Sequence, residues 1–155
     1  MRFGVILALA TLVLTTISFA GGYEQLKAKL DSLGLNYIAD DSKQVCAIPM
    51  EGLKYCDDKT IYISPAGENK DFFVARLTIF DGDERTRFTA DFFKRCLVFN
   101  YEKGIIKVQF DPKYYDVDLT YEGWLTTSAA DMKKGLQWMV GVADSLAKDL
   151  KGMLK

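Results

Sequence analysis

The amino-acid sequence predicts an α+β domain of order α-βββ-α-ββ-α, an antiparallel five-stranded sheet carrying its helices on one face. Three patterns carry that expectation. Between residues 106 and 121 apolar and polar residues alternate, broken only by a turn around Pro112, as in a sheet with one dry face and one wet face. Met132, Leu136, Met139, Ala143, Leu146, Leu150 and Met153 recur at spacings of four and three, the seam of a long amphipathic helix. The 155 residues contain no internal repeat, low-complexity stretch or domain linker, so residues 21–155 read as one domain behind an N-terminal segment.

The elements follow in order. Tyr23, Leu26, Leu30 and Leu33 stack on one side of a short first helix, which Gly34 ends by taking the left-handed conformation. Residues 45–50 form the first strand, closed by Pro49 and Gly52. Residues 60–64 form the second, with Ile61 and Ile63 on one side. The run Ser64-Pro65-Ala66-Gly67-Glu68-Asn69 is dense in turn formers. In the third strand, residues 71–80, Phe73, Ala75, Leu77 and Ile79 alternate with Arg76 and Thr78. Thr89 caps a second helix whose Phe92, Phe93, Cys96, Leu97 and Phe99 make a broad apolar face, the mark of a mostly buried helix. Ile106, Val108 and Phe110, then Tyr115, Val117, Leu119 and Tyr121, supply the inward rows of two further strands. Ser128 and Asp131 resemble a capping box opening the last helix, residues 128–151.

Residues 1–20 have the three parts of a secretory signal peptide. One basic residue, Arg2, precedes an apolar run at 5–14, and Ser18-Phe19-Ala20 places small residues for cleavage between Ala20 and Gly21. A periplasmic or secreted location is the expectation. A retained anchor is the rival reading, since no charge occurs between Phe3 and Tyr23 and about 20 helical residues span a bilayer core. Thr11, Thr15, Thr16 and Ser18 dilute that stretch, and no basic stop follows it. After cleavage no stable membrane span is expected. The remaining chain has a slight acidic excess and no basic field for nucleic acid.

The sequence contains no His, which excludes catalytic triads, Cys–His dyads and imidazole metal sites together. No enzymatic activity, metal or cofactor is expected. The acidic run Asp81-Gly82-Asp83-Glu84 lacks a calcium-loop framework and reads as a solvated turn. Asp116 and Asp118, the pair that would serve a carboxylate hydrolase, fall on a solvent-facing sheet and read as cross-strand charge partners. Cys46 and Cys56 lie ten positions apart across Pro49 and Gly52, where the chain can fold back. Either they form a disulfide, or all three cysteines are small buried hydrophobes.

Element order and patterning resemble type III secretion chaperones and the related YbjN-like bacterial proteins. The resemblance rests on the helix 23–33 with Gly34-Leu35, the segment Ile61-Tyr62-Ile63-Ser64-Pro65-Ala66-Gly67, the helix 92–100 running into Tyr101, and the hairpin before a long helix opened by Leu125-Thr126-Thr127-Ser128-Ala129-Ala130. It covers nearly all of the chain after residue 20. It implies a domain without established enzymatic activity, and chaperones of this kind act as dimers that bind unfolded segments of partner proteins. A signal peptide sets this chain apart from those cytosolic chaperones.

Apolar residues left over after one core is built mark the expected partner or dimer surface. Trp138 and Val142 lie outside the seam of the last helix, and Phe72 and Val74 lie on the nominally wet side of their strand. The leading expectation is therefore an exported protein-binding domain, chaperone-like or regulatory, whose partner is another protein or a second copy. The alternative is a carrier of a small apolar ligand or lipid, with a cavity lined by Phe92, Phe99, Phe110 and Met139.

Overall fold

In the computed structural model, residues 21–83 and 86–154 are described. Helix α1 (Gly22–Ser32) leads into strands β1 (Ile38–Asp40), β2 (Val45–Pro49), β3 (Thr60–Ala66) and β4 (Phe72–Phe80). Helix α2 (Ala90–Lys103), strands β5 (Ile106–Asp111) and β6 (Asp116–Trp124) and helix α3 (Ala129–Lys151) complete the chain. The α+β class holds, but the sheet has six strands in the order β1-β2-β3-β4-β6-β5, all antiparallel, where five were expected. The additional strand is β1. Its three residues are too few to show alternation, and at the sheet's edge Ile38 is 69% exposed.

Two further boundaries differ from the sequence expectation. Pro65 and Ala66 extend β3 opposite Phe73 and Phe72, and the turn begins only at Gly67, at φ 86°. Tyr115 belongs to the β5–β6 turn at φ 64°, so the inward row of β6 begins at Val117.

One row of side chains shows how the core is laid out. Cys46, Ile63, Ala75, Tyr121 and Ile106 are in register across β2, β3, β4, β6 and β5, and all five are buried under the helices. Ile61, Leu77, Leu119 and Val108 make a parallel row beside it, and Leu26, Leu30, Met132, Met139 and Leu150 close the core from the helix side. Both long helices begin as their sequences require. The Thr89 hydroxyl accepts the Phe92 N–H at 3.2 Å, and the Ser128 hydroxyl accepts the Asp131 N–H at 3.1 Å.

α3 comes close to β6 because Gly135 has no side chain. A Cβ there would lie 2.2 Å from Cζ of Tyr121, whose ring is held edge-on by Phe73 at 5.4 Å between centroids. The loop 50–59 is clamped to the far half of α3. Asp144 accepts the N–H groups of Lys54 and Tyr55 at 2.7 and 2.5 Å, which hold its carboxyl below the ordinary range. Lys151 reaches Asp57 at 2.5 Å.

The bridge weighed between Cys46 and Cys56 is not formed, and all three cysteines are free. Cys46 points into the core from β2, while Cys56 is buried within the clamped loop, where burial pushes its thiol up to about 11.

Gly135→Ala tests the seating of α3. Alanine favours a helix by about 1 kcal/mol over glycine, yet forcing a methyl group into Tyr121 costs about 1–3 kcal/mol. A net loss of stability is expected in urea titration, and pairing the substitution with Tyr121→Leu recovers part of it. An increase in midpoint for Gly135→Ala alone would contradict the close-approach argument.

Candidate protein-binding surfaces

α2 is apolar on two sides and covered on one. Its inner side places Phe92 and Phe99 in the core. Its outer side carries Phe93, Leu97, Val98 and Tyr101, continued by Ile105 beyond Gly104. All five are exposed, Leu97 to 70% and Tyr101 to 92%. The expectation of a mostly buried helix is corrected here, because the fold supplies a core for only one of the two sides. Residues 93, 97 and 101 are four apart and share one face of the helix. The base of this stripe is stiff, since the Phe93 ring packs against Phe92, Phe88 and Phe110 at centroid distances of 5.5, 6.0 and 5.8 Å. The signal available in the sequence was the length of the apolar arc, too wide for one buried stripe.

The opposite face of the sheet is open. Ile38, Val45, Ala47, Tyr62, Ser64 and Val74 lie along a broad hollow of about 670 Å³, with Arg76, Thr78, Lys43 and Asp40 also in its lining. Phe72 meets Trp124 edge-on at 6.0 Å at the end of this face, and Trp124 is 60% exposed. Phe72 and Val74 therefore sit on the sheet's open face, half-buried, whereas Trp138 and Val142 sit on α3 in the helix layer. The structure does not gather these four residues into one surface.

Asp118 departs from the solvated carboxylate expected of it. Only 7% exposed, it accepts the Thr78 hydroxyl at 2.7 Å and lies 3.4 Å from Nε of Arg76. Asp116 faces a different group, the acidic hollow it shares with Asp57, Asp58 and Asp81 at one end of the sheet. Asp81 and Asp83 lie in irregular chain, and Glu84 lies outside the described residues. Among the described residues no three His, Cys, Asp or Glu side chains are grouped to hold a metal ion. No helix among them is long and apolar enough to cross a membrane.

The residues proposed to line an apolar cavity instead fill the core. Phe92, Phe99 and Met139 are buried, and Phe110 packs against Phe88 at 4.8 Å. An apolar hollow of about 280 Å³ opens elsewhere, between α3 and the β2–β3 side of the sheet, where Leu35, Ile48, Met50, Ile61, Leu136 and Val140 line it.

With this geometry in hand, the solved structures of other proteins decide the fold. The type III secretion chaperone SycH of Yersinia pestis, in complex with a stable fragment of YscM2, superposes with a TM-score of 0.54 at 15% identity, over 81% of this chain and 98% of its own. YbjN of E. coli gives 0.61 at 9% identity, over 85% and 94%. The ExsC–ExsE complex gives 0.58 at 13%, over 83% and 92%. This is the fold of type III secretion chaperones and YbjN. No family model matches the sequence, and no curated protein matches it. The resemblance in element order is thus a likeness of fold, spanning nearly the whole length of each neighbour. On this chaperone-like fold, α2 is the crossover helix between β4 and β5, which explains its place at the flank of the helix layer, with one side uncovered.

Asp116 makes a pH-dependent prediction. Burial first, then the nearby carboxylates Asp81, Asp118 and Asp111, raise its pKa above the ordinary value. A raised folded-state pKa means the ionised form weakens the fold at neutral pH, and the cost fades as pH falls through that pKa. Asp116→Asn is expected to stabilise the protein at pH 7 by up to about 1 kcal/mol, with the advantage over wild type shrinking under acid. Thermal melts across that range check it, and a constant or widening advantage would contradict the assignment.

Proposed function

We propose that this protein is a non-catalytic, chaperone-like protein-binding module that docks its partner on the outer face of α2, and that one such partner is a second copy of the same chain. The observation that carries this reading is the uncovered stripe of Phe93, Leu97, Val98, Tyr101 and Ile105. A helix apolar on both sides belongs between two layers, and this fold provides one. Aromatic side chains such as Phe93 and Tyr101 are enriched at the centre of an interface. The fold adds support, because SycH and ExsC were each captured with a protein partner. Size-exclusion chromatography with light scattering is expected to give a dimer for the wild type. Leu97→Lys and Tyr101→Lys should weaken it by about thirtyfold or more each without changing the circular dichroism, because both side chains are exposed. A monomeric wild type, or dimers unaffected by either change, would sink the self-association reading.

The same proposal places the protein outside the cytoplasm. Its support is the signal-peptide form of residues 1–20, together with the position of Gly21, an exposed residue whose carbonyl accepts the first helical hydrogen bonds of α1. A cut after Ala20 leaves that cap intact. Mass measurement of the protein from the periplasmic fraction is expected to give a chain starting at Gly21, and a chain retaining residues 1–20 in the membrane fraction would favour the anchor instead.

A carrier of a small apolar ligand is the second reading, favoured by the hollow beneath Leu35, Met50 and Val140. Native mass spectrometry of the purified protein separates the two, since a carrier brings a bound small molecule and a docking module does not.

A further inference from the structure

The side chain of Asn100, on the last full turn of α2, reaches the backbone of β5. Its Oδ1 accepts the Val108 N–H at 2.6 Å, and its Nδ2 donates to the Val108 carbonyl at 3.1 Å. A neighbouring antiparallel strand makes this same exchange of two bonds with one residue. Lys107 adds a bond from its ammonium to the Asn100 carbonyl at 3.2 Å.

The place of the contact gives it meaning. β5 is an edge of the sheet, paired on its inner side with β6. Because Val108 turns its N–H and C=O away from β6, alternation along the strand turns those of Ile106 and Phe110 the same way. Asn100 thus occupies the middle of three outward-facing rungs. An incoming strand needs consecutive rungs, and with Val108 taken no two remain together. Exposed edges of this kind accept other chains unless something blunts them.

We propose that Asn100 is a surrogate strand one residue long, which closes the β5 edge of this sheet to strand addition. The inference goes beyond the docking role of α2 and does not depend on it.

The test uses the full domain and a synthetic peptide copying residues 105–111. In Asn100→Ala, the Val108 amide is expected to exchange with solvent about tenfold faster or more, while the amides of α3 keep their rates. The variant should also capture the peptide, which the wild type does not. Asn100→Asp keeps the acceptor for the Val108 N–H and loses the donor to its carbonyl, which opens the rung only in part, so both its Val108 exchange and its peptide capture are expected to lie between wild type and Asn100→Ala. If Asn100→Ala fails to fold, the aspartate variant alone decides. Peptide capture no greater than wild type in the folded variants overturns the proposal, as does a wild type that binds the peptide as tightly as they do. Neither readout involves a partner protein, so failure here is separate from failure of the α2 interface.

Discussion

Everything on the helix side of this molecule depends on a side chain that is missing. Gly135 lets α3 descend until its backbone meets the ring of Tyr121, closer than any Cβ would permit. Tyr121 cannot yield, since Phe73 braces it edge-on, and Phe73 in turn lies over Gly123, where another Cβ would strike its ring. Two glycines and two rings thus set the spacing between helix layer and sheet at its middle. Met132, Leu136 and Met139 then reach the sheet at the depth their lengths allow, and all three are buried there. α2, joined to β4 and β5 rather than lodged over the sheet's centre, receives only the margin of this core.

Much of this was legible in the sequence, for physical reasons that differ from element to element. The seam of α3, the alternation of β4, and the caps Thr89, Ser128 and Gly34 are local signals, and the structure uses them as they stand. β1 escaped because a three-residue edge strand is defined by its partner and leaves no period of its own. Pro65 and Ala66 read as a turn by composition, yet β2 pairs with β3 only as far as Ile63, so Pro65 stands where β3 is an edge and proline is tolerated, and the pairing with Phe73 and Phe72 holds both residues extended. Tyr115 read as strand because its parity matched Val117, while the turn's positive φ depends on Asp111 gathering the N–H groups of Lys113 and Tyr114.

The surfaces were harder to read than the fold. A broad apolar arc on α2 announces burial but not by what, so the sequence could not separate a core helix from one shared with a partner. Trp138 and Phe72 were legible as surplus apolar residues, but sequence distance hid that they lie on opposite faces of the sheet. Asp118 looked like one of several surface carboxylates. Its burial comes from Thr78 and Arg76, forty and forty-two positions earlier, brought alongside by the β4–β6 pairing. Asn100 carried no signal at all, since an asparagine near a helix end is ordinary until the strand it serves is known.

The strand order also governs when the sheet can be completed. β1 to β4 form a meander of neighbours, each pairing with the segment just made. β4, the longest of these, then waits through α2 and β5 before β6 arrives to occupy its other side. Until that moment the first half of the chain holds Phe73, Leu77 and Ile79 beside an unpaired ladder. Such non-local closure slows folding and lengthens the life of an aggregation-prone intermediate. The half of the chain that is made first is thus the half that must wait.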